Sequence, residues 1–101
     1  MTIHSIHSDD GKSIIIGIIG RFDYSLQKSF CAAFEKAEKC INNYIVDMKE
    51  TTYLDSSALG LLLLLKGHAN TNSSDVNIVN CNENIKKILS ISKFENMFNI
   101  E

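Results

Sequence analysis

The chain has 101 residues, of which 45% are hydrophobic and 22% are charged, and its formal net charge is -2. This length predicts a single domain spanning residues 1–101, with a core too small to enclose a large cofactor. Ordinary apolar content excludes global disorder, and the balanced charge lacks the basic excess of a nucleic-acid-binding module. We therefore expect a small globular protein with no cofactor and no nucleic-acid partner.

The cysteines and the apolar runs indicate the cellular compartment of the protein. Cys31, Cys40 and Cys81 form an odd set without metal-site spacing, which predicts reduced, mostly buried thiols. The N-terminus has acidic residues and no apolar segment, so it does not resemble a signal peptide. The apolar runs Ile14–Ile19 and Leu61–Leu65 are shorter than the ~20 residues that cross a bilayer. We expect a cytoplasmic protein without membrane insertion.

Two strands are predicted first along the chain. Thr2–Ser8 alternates isoleucine with polar residues, which indicates a weak edge strand. The Asp10-Gly11 pair then favours a hairpin, because a type I′ turn needs positive φ angles. Lys12–Gly20 is a β-branched run, typical of a strand buried on both faces.

A helical pattern follows, from Tyr24 to about Cys40, and either Asp23 or Ser25 can cap its start. Tyr44–Met48 then predicts a short strand, and Lys49–Thr52 predicts a turn. Apolar residues at three- and four-residue steps mark the buried face of the helix, namely Leu26, Phe30, Ala33, Phe34, Ala37 and Ile41.

The second half of the chain continues the alternation of strands and helices. A helix is expected to begin around Asp55 and to run to about Ala69. A strand at Val76–Cys81 and a helix at Asn82–Ser92 follow it.

The tail Phe94–Ile100 fits either a short strand or a helix remnant that packs Phe94, Met97 and Phe98 on the core. The order of elements predicts an α/β domain. Its sheet should be mixed and partly parallel, with four to five strands and with the helices mainly on one face.

The helix that begins near Asp55 carries more leucine than one buried face can hold. An i, i+3, i+4, i+7 stripe through Ala58, Leu61, Leu62, Leu65 and Ala69 accounts for the core contact. The opposite face then contains Ser56, Leu59, Gly60, Leu63 and Gly67. This face is either an exposed docking surface for a protein partner or is buried against neighbouring helices.

A phosphate on Ser56 is compatible with this helix, because free N–H groups and the helix dipole favour an anion at a helix N-terminus. The added charge of about 1.5–2 units would repel an apolar partner while the fold survives. The plainer role for Asp55 and Ser56 is capping, which alone explains an Asp-Ser helix start. The segment therefore allows a phosphorylation switch.

The chain resembles the STAS domain, and specifically the stand-alone anti-sigma-factor antagonists. Three segments in order carry this resemblance: Gly20-Arg21-Phe22-Asp23, Tyr44–Asp47, and Leu54-Asp55-Ser56-Ser57-Ala58-Leu59-Gly60. Together with the order of the elements, they cover essentially the whole chain and imply a STAS-like fold.

The resemblance implies that an anti-sigma factor, which is also a GHKL-type serine kinase, phosphorylates Ser56, and that a PP2C-type phosphatase removes the phosphate. The unphosphorylated form would bind the kinase and free a sigma factor or another regulatory target. Ser57 is the second choice of acceptor. Ala58 stands where the family most often has glycine, which is expected to add a methyl at the contact surface. The expected partner-binding residues are Asp23, Asp55, Ser56, Ser57, Leu59, Gly60 and Leu63.

Other readings of the sequence are weaker. Asp9-Asp10 resembles a receiver-domain acidic pair but lies in a hairpin instead of at the carboxyl ends of parallel strands. His4, His7 and His68 lack metal-site spacing, so no metal is expected. No phosphate-binding glycine loop or serine–histidine motif is present, which favours a kinase substrate over an enzyme.

Three functions follow from these observations. The first is a phosphorylation-controlled anti-sigma-factor antagonist. The second is a STAS subunit of a lipid-transport ABC complex. Such a subunit would bind the ATPase of the complex permanently, without a phosphorylation cycle. The third is a small hydrolase or nucleotide-binding domain. The expected oligomeric state is a monomer or a weak dimer.

Overall fold

The computed structural model describes residues 3–35, 41–71 and 73–101. Its strands are β1 Ile3–His7, β2 Ser13–Ile18, β3 Gly20–Phe22, β4 Asn43–Asp47, β5 Thr51–Leu54, β6 Asp75–Val79 and β7 Asn99–Ile100. Its helices are α1 Gln27–Glu35, α2 Ser56–Thr71 and α3 Glu83–Ile91.

Five of the strands form one mixed sheet, in the order β1-β2-β4-β6-β7. β1 runs antiparallel to β2 at one edge, while β2, β4, β6 and β7 run parallel to one another. β3 and β5 form a separate parallel pair. The predicted α/β fold with a mixed, partly parallel sheet is confirmed.

The core lies on one face of the sheet. Lateral neighbours on β2, β4 and β6 are buried there, in the rows Ile14–Tyr44–Val76 and Ile16–Val46–Ile78. The intervening row on the other face, Ile15–Ile45–Asn77, is only half buried. Apolar side chains of α1 and α2 complete the buried side, as the prediction of helices mainly on one face requires.

The hairpin between β1 and β2 has a longer connection than the predicted type I′ turn. The Ser8 N–H donates to the Ser13 carbonyl at 2.9 Å, so residues 9–12 form the connection. Within it only Gly11 has a positive φ, of 71°, whereas a type I′ turn needs two such residues. The Asp10 carboxylate accepts a hydrogen bond from the Lys12 N–H at 2.9 Å, which favours this longer turn.

The strand predicted at Lys12–Gly20 is confirmed over Ser13–Ile18, but its continuation to Gly20 and its burial on both faces are wrong. β2 ends before Ile19, which is 37% exposed, and Gly20 has a φ of 80° that redirects the chain into β3. The Gly20 N–H donates to the Glu50 carbonyl at 2.9 Å. Thr51, which was expected within a turn, instead begins β5. It does so because β3 lies alongside and pairs with β5.

Two glycine substitutions are expected to change stability in opposite directions. Gly20→Ala forces a side chain into the left-handed region and should lower the free energy of unfolding by about 1–2 kcal/mol. Gly67→Ala, at an exposed position in α2 with open space around it, should raise this free energy by about 0.5–1 kcal/mol. Urea unfolding measures the free energy of unfolding of both variants. A change of the same sign in the two variants would contradict the left-handed conformation of Gly20 or the helical conformation of Gly67.

The first predicted helix begins as a 3-10 turn, Tyr24–Leu26, capped by Asp23. α1 follows directly and buries Phe30 and Phe34 as expected. The predicted continuation through Ala37 to Cys40 lies outside the described residues.

The C-terminal tail contains both predicted elements, a 3-10 turn at Phe94–Asn96 followed by β7. Phe94 and Phe98 are buried, and their rings stack with 5.3 Å between the centroids. Because these two rings occupy the core side of the tail, Met97 stays 39% exposed, and its expected packing on the core is wrong.

Candidate functional site

Helix α2 presents two contrasting faces. The predicted core stripe is confirmed, since its buried residues are Ala58, Leu61, Leu62, Leu65 and Ala69. The opposite face contains what we call the Ser56 surface, formed by Ser56, Leu59, Gly60 and Leu63. Leu59 is half buried against the core, whereas Leu63 is 43% exposed. Of the leucines outside the core stripe, Leu59 therefore packs inside the protein, whereas Leu63 is available to a partner.

Asp55 caps the start of α2. Its Oδ1 accepts hydrogen bonds from the Ser57 hydroxyl at 2.6 Å and from the Ala58 N–H at 3.1 Å. The bond from Ser57, followed by the one from Ala58, lowers the pKa of the Asp55 carboxyl. Asp55 is therefore ionised at neutral pH, next to Ser56.

Asp23 also lies near the start of α2, although it is distant from Asp55 in the sequence. The parallel register pairs Phe22 with Leu54, so Asp23 and Asp55 leave β3 and β5 at the same end. Asp23 accepts hydrogen bonds from the hydroxyl and the N–H of Ser25, which lower the pKa of its carboxyl. The charge of Asp23 in turn opposes ionisation of Asp55, as a smaller effect than the hydrogen bonds. Two ionised carboxylates therefore lie at the start of α2.

Arg21 accompanies this acidic pair. Its Nε lies 3.4 Å from Asp23 Oδ2, and its guanidinium stands 4.2 Å from the centre of the Tyr53 ring. The sequence pattern alone does not place Arg21 against Tyr53, because a bulge between Gly20 and Arg21 sets their register. Arg21 partly neutralises the pair while remaining largely exposed.

The two adjacent serines differ in their environment. Ser57 is half buried, and its hydroxyl is committed to Asp55. Ser56 is exposed, and its hydroxyl forms no hydrogen bond with the described residues. The Ser56 oxygen is therefore the more accessible of the two.

Ala58 does not lie on the contact surface. It is fully buried, on the same stripe as Leu61 and Leu65. Its methyl therefore fills the core at the first turn of α2, and the expectation that it alters the contact surface is wrong.

Acid should destabilise the protein partly through Asp55. Because the pKa of Asp55 is lowered in the fold from its ordinary value of 3.8, its stabilising effect is complete above that value. The effect is lost as the pH falls through the lower folded pKa. Asp55→Asn keeps a capping oxygen without titration, so it should reduce the loss of thermal stability as the pH falls from about 4 to about 2, the range that begins at the ordinary aspartate pKa and extends below it. Equal acid sensitivity of wild type and variant would contradict this role.

The histidines considered as metal ligands from the sequence occupy packing positions where the structure describes their contacts. The His4 ring occupies the space above Gly17, and His68 packs between Phe34 and Tyr44. Within residues 3–35, 41–71 and 73–101, no group of three histidine, cysteine or acidic side chains could hold a metal ion. No helix in this described part is long and apolar enough to span a bilayer.

The described cysteines are free thiols. Cys31 and Cys81 are half buried and pack against the core, which fits the expectation of mostly buried thiols only in part, and Cys40 lies outside the described residues. Partial burial raises the pKa of both thiols, which makes them less reactive at neutral pH.

Comparison with solved structures supports the fold. The chain superposes on the anti-sigma factor antagonist SpoIIAA in its unphosphorylated form with a TM-score of 0.78 and 15% identity, covering 98% of this chain and 86% of SpoIIAA. For the phosphorylated form of Bacillus SpoIIAA the TM-score is 0.68 at 15% identity, with 98% and 90% covered. A candidate anti-sigma factor antagonist of Thermotoga maritima gives 0.83 at 15% identity, with 97% and 84% covered.

Sequence comparison establishes the family. The chain is 43% identical over 100 residues to a STAS-domain containing protein of Pseudomonas aeruginosa (strain UCBPP-PA14), and the alignment covers 99% of each protein. Residues 5–101 match the STAS domain family. The match over nearly the whole chain and the close relative show that this protein belongs to the STAS domain family.

Proposed function

We propose that this STAS protein is an anti-sigma-factor antagonist controlled by phosphorylation of Ser56. In its unphosphorylated form it binds an anti-sigma factor that is also a GHKL-type serine kinase. Phosphorylation by that kinase ends the binding, and a PP2C-type phosphatase restores it. The protein acts in the cytoplasm as a kinase substrate, and its output is regulation of transcription by partner switching.

The accessibility of Ser56 carries this proposal. Its hydroxyl is exposed and free of hydrogen bonds to the described residues, whereas the Ser57 hydroxyl is held by Asp55. A kinase needs an oxygen that can approach the γ-phosphate of ATP, and Ser56 meets this requirement without unfolding the cap. We therefore assign Ser56 as the acceptor.

The surroundings of Ser56 explain how one phosphate can act as a switch. Backbone N–H groups at the start of α2 favour the anion, so the fold should survive. The same anion would add to the charge of the Asp23 and Asp55 carboxylates at the start of α2, on the helix face that also presents the exposed side chain of Leu63. A partner that packs on Leu63 would then have to desolvate a dianion, which is unfavourable.

A subunit of a lipid-transport ABC complex is the second candidate. The observation that favours it is apolar exposure, because Leu63 is 43% and Leu64 is 51% exposed, and such leucines can hold an ATPase without phosphorylation. In that case a charge at Ser56 would have no regulatory role.

Affinity purification from the protein's own cells separates the two candidates. A tagged wild-type chain should retain a GHKL-type kinase, and a Ser56→Asp chain should not. Retention of an ABC-type ATPase by both chains would favour the second candidate and contradict the switch.

A further inference from the structure

A groove lies between β5 and α3, and the residues of the Ser56 surface do not line it. It encloses about 340 Å³, and its apolar walls come from Tyr53, Leu54, Ile85 and Ile88, with Ile91 at its end. Ile91 is 74% exposed and Tyr53 is 41% exposed, so these large side chains face water in the isolated chain. The volume falls within the roughly 300–1,000 Å³ of small-molecule sites.

Among the residues that line the groove, the charged side chain is that of Lys87. The Arg21 guanidinium, which is paired with Asp23, lies against the Tyr53 ring that forms one wall. Asn84 adds an amide, and none of the residues that line the groove is acidic. A concave apolar surface with a few polar groups is typical of a ligand site, and the ammonium of Lys87 favours a ligand with an anionic end.

We propose that this groove binds a small amphipathic carboxylate. Its aliphatic chain would pack against Tyr53, Ile88 and Ile91, and its carboxylate would lie beside the Lys87 ammonium. Burial of the exposed isoleucine and tyrosine surface supplies the apolar part of the affinity. The Lys87 charge determines which end group is accepted. This site is separate from Ser56 and does not depend on its phosphorylation.

Titration with decanoate tests the proposal on the purified full chain. Saturable shifts are expected in the methyl signals of Ile85, Ile88 and Ile91 in carbon–proton NMR spectra. Decyltrimethylammonium, with the same chain and the opposite charge, should bind at least about fivefold more weakly, the size expected for one partly exposed ion pair. Acetate, without the chain, should produce no shifts at these positions.

A charge reversal on α3 provides the matched test of recognition. Lys87→Glu should reverse the preference, so that decyltrimethylammonium binds better than decanoate. Lys86→Glu makes the same charge change at the neighbouring exposed residue, which does not line the groove, and should keep the wild-type preference. The proposal is overturned if decanoate shifts signals elsewhere, if it fails to saturate, or if the two variants behave alike.

Discussion

Replacing Ser56 with aspartate is expected to weaken binding of the kinase-type partner about 100-fold, because a charge at a packed interface costs several kcal/mol. The new carboxylate would lie with those of Asp55 and Asp23 at the start of α2. The free energy of unfolding should change little, since an acidic residue in the first turn suits the helix dipole. Titration of the purified partner with each variant measures the affinity.

Ser56→Asn is the matched control, because asparagine has nearly the size of aspartate without its charge. It should bind the partner far better than Ser56→Asp. If both variants lose affinity equally, the effect is one of size, and an electrostatic switch at Ser56 is contradicted.

Adjacent leucines of α2 should respond in opposite ways to truncation. Leu62 is fully buried, so Leu62→Ala removes core contacts and leaves a cavity, which should lower the free energy of unfolding by about 2–5 kcal/mol. A total stability of about 5–15 kcal/mol is usual for a domain, so this loss is a large share. Leu63, at 43% exposure, should lose no more than about 0.5 kcal/mol when replaced by alanine.

Binding to the partner should show the reverse order. Leu63→Ala removes an apolar side chain from the Ser56 surface and should weaken binding about tenfold, while the protein stays folded. Urea unfolding and partner titration on the same two variants give both quantities. Equal destabilisation by the two substitutions would contradict the orientation of α2.

Local patterns were sufficient to predict the orientation of α2. The spacing of Ala58, Leu61 and Leu65 identified its buried face, because a helix repeats every 3.6 residues. The parallel strands were likewise predicted from the alternation of apolar runs and helices. These features depend on residues close together in the chain.

Contacts between distant segments were not predictable in the same way. The β3–β5 pair was missed because β3 has three residues and begins at Gly20, whose positive φ has no counterpart in an apolar pattern. This pairing places Asp23 beside Asp55 and Arg21 against Tyr53. The geometry of the site therefore required the tertiary structure, whereas the position of Ser56 at the start of α2 is predicted from the sequence.

The difference between Ser56 and Ser57 also required side-chain positions. Both residues follow an aspartate at the start of a helix, where either hydroxyl can be exposed. The hydrogen bond from the Ser57 hydroxyl to Asp55 supports the proposal that Ser56 is the acceptor. Ser57→Ala should therefore affect the cap of α2, while Ser56→Ala should leave the cap intact and remove the proposed acceptor oxygen.

Phosphopeptide mass spectrometry of the protein from its own cells, prepared under phosphatase inhibition, tests the central proposal most directly. A fragment containing residues 55–61 reports on both serines. The expected result is a phosphate on Ser56 in a fraction of the molecules that varies with growth conditions. An unmodified Ser56 in every condition, with the fragment fully observed, or a phosphate on Ser57 alone, would contradict it.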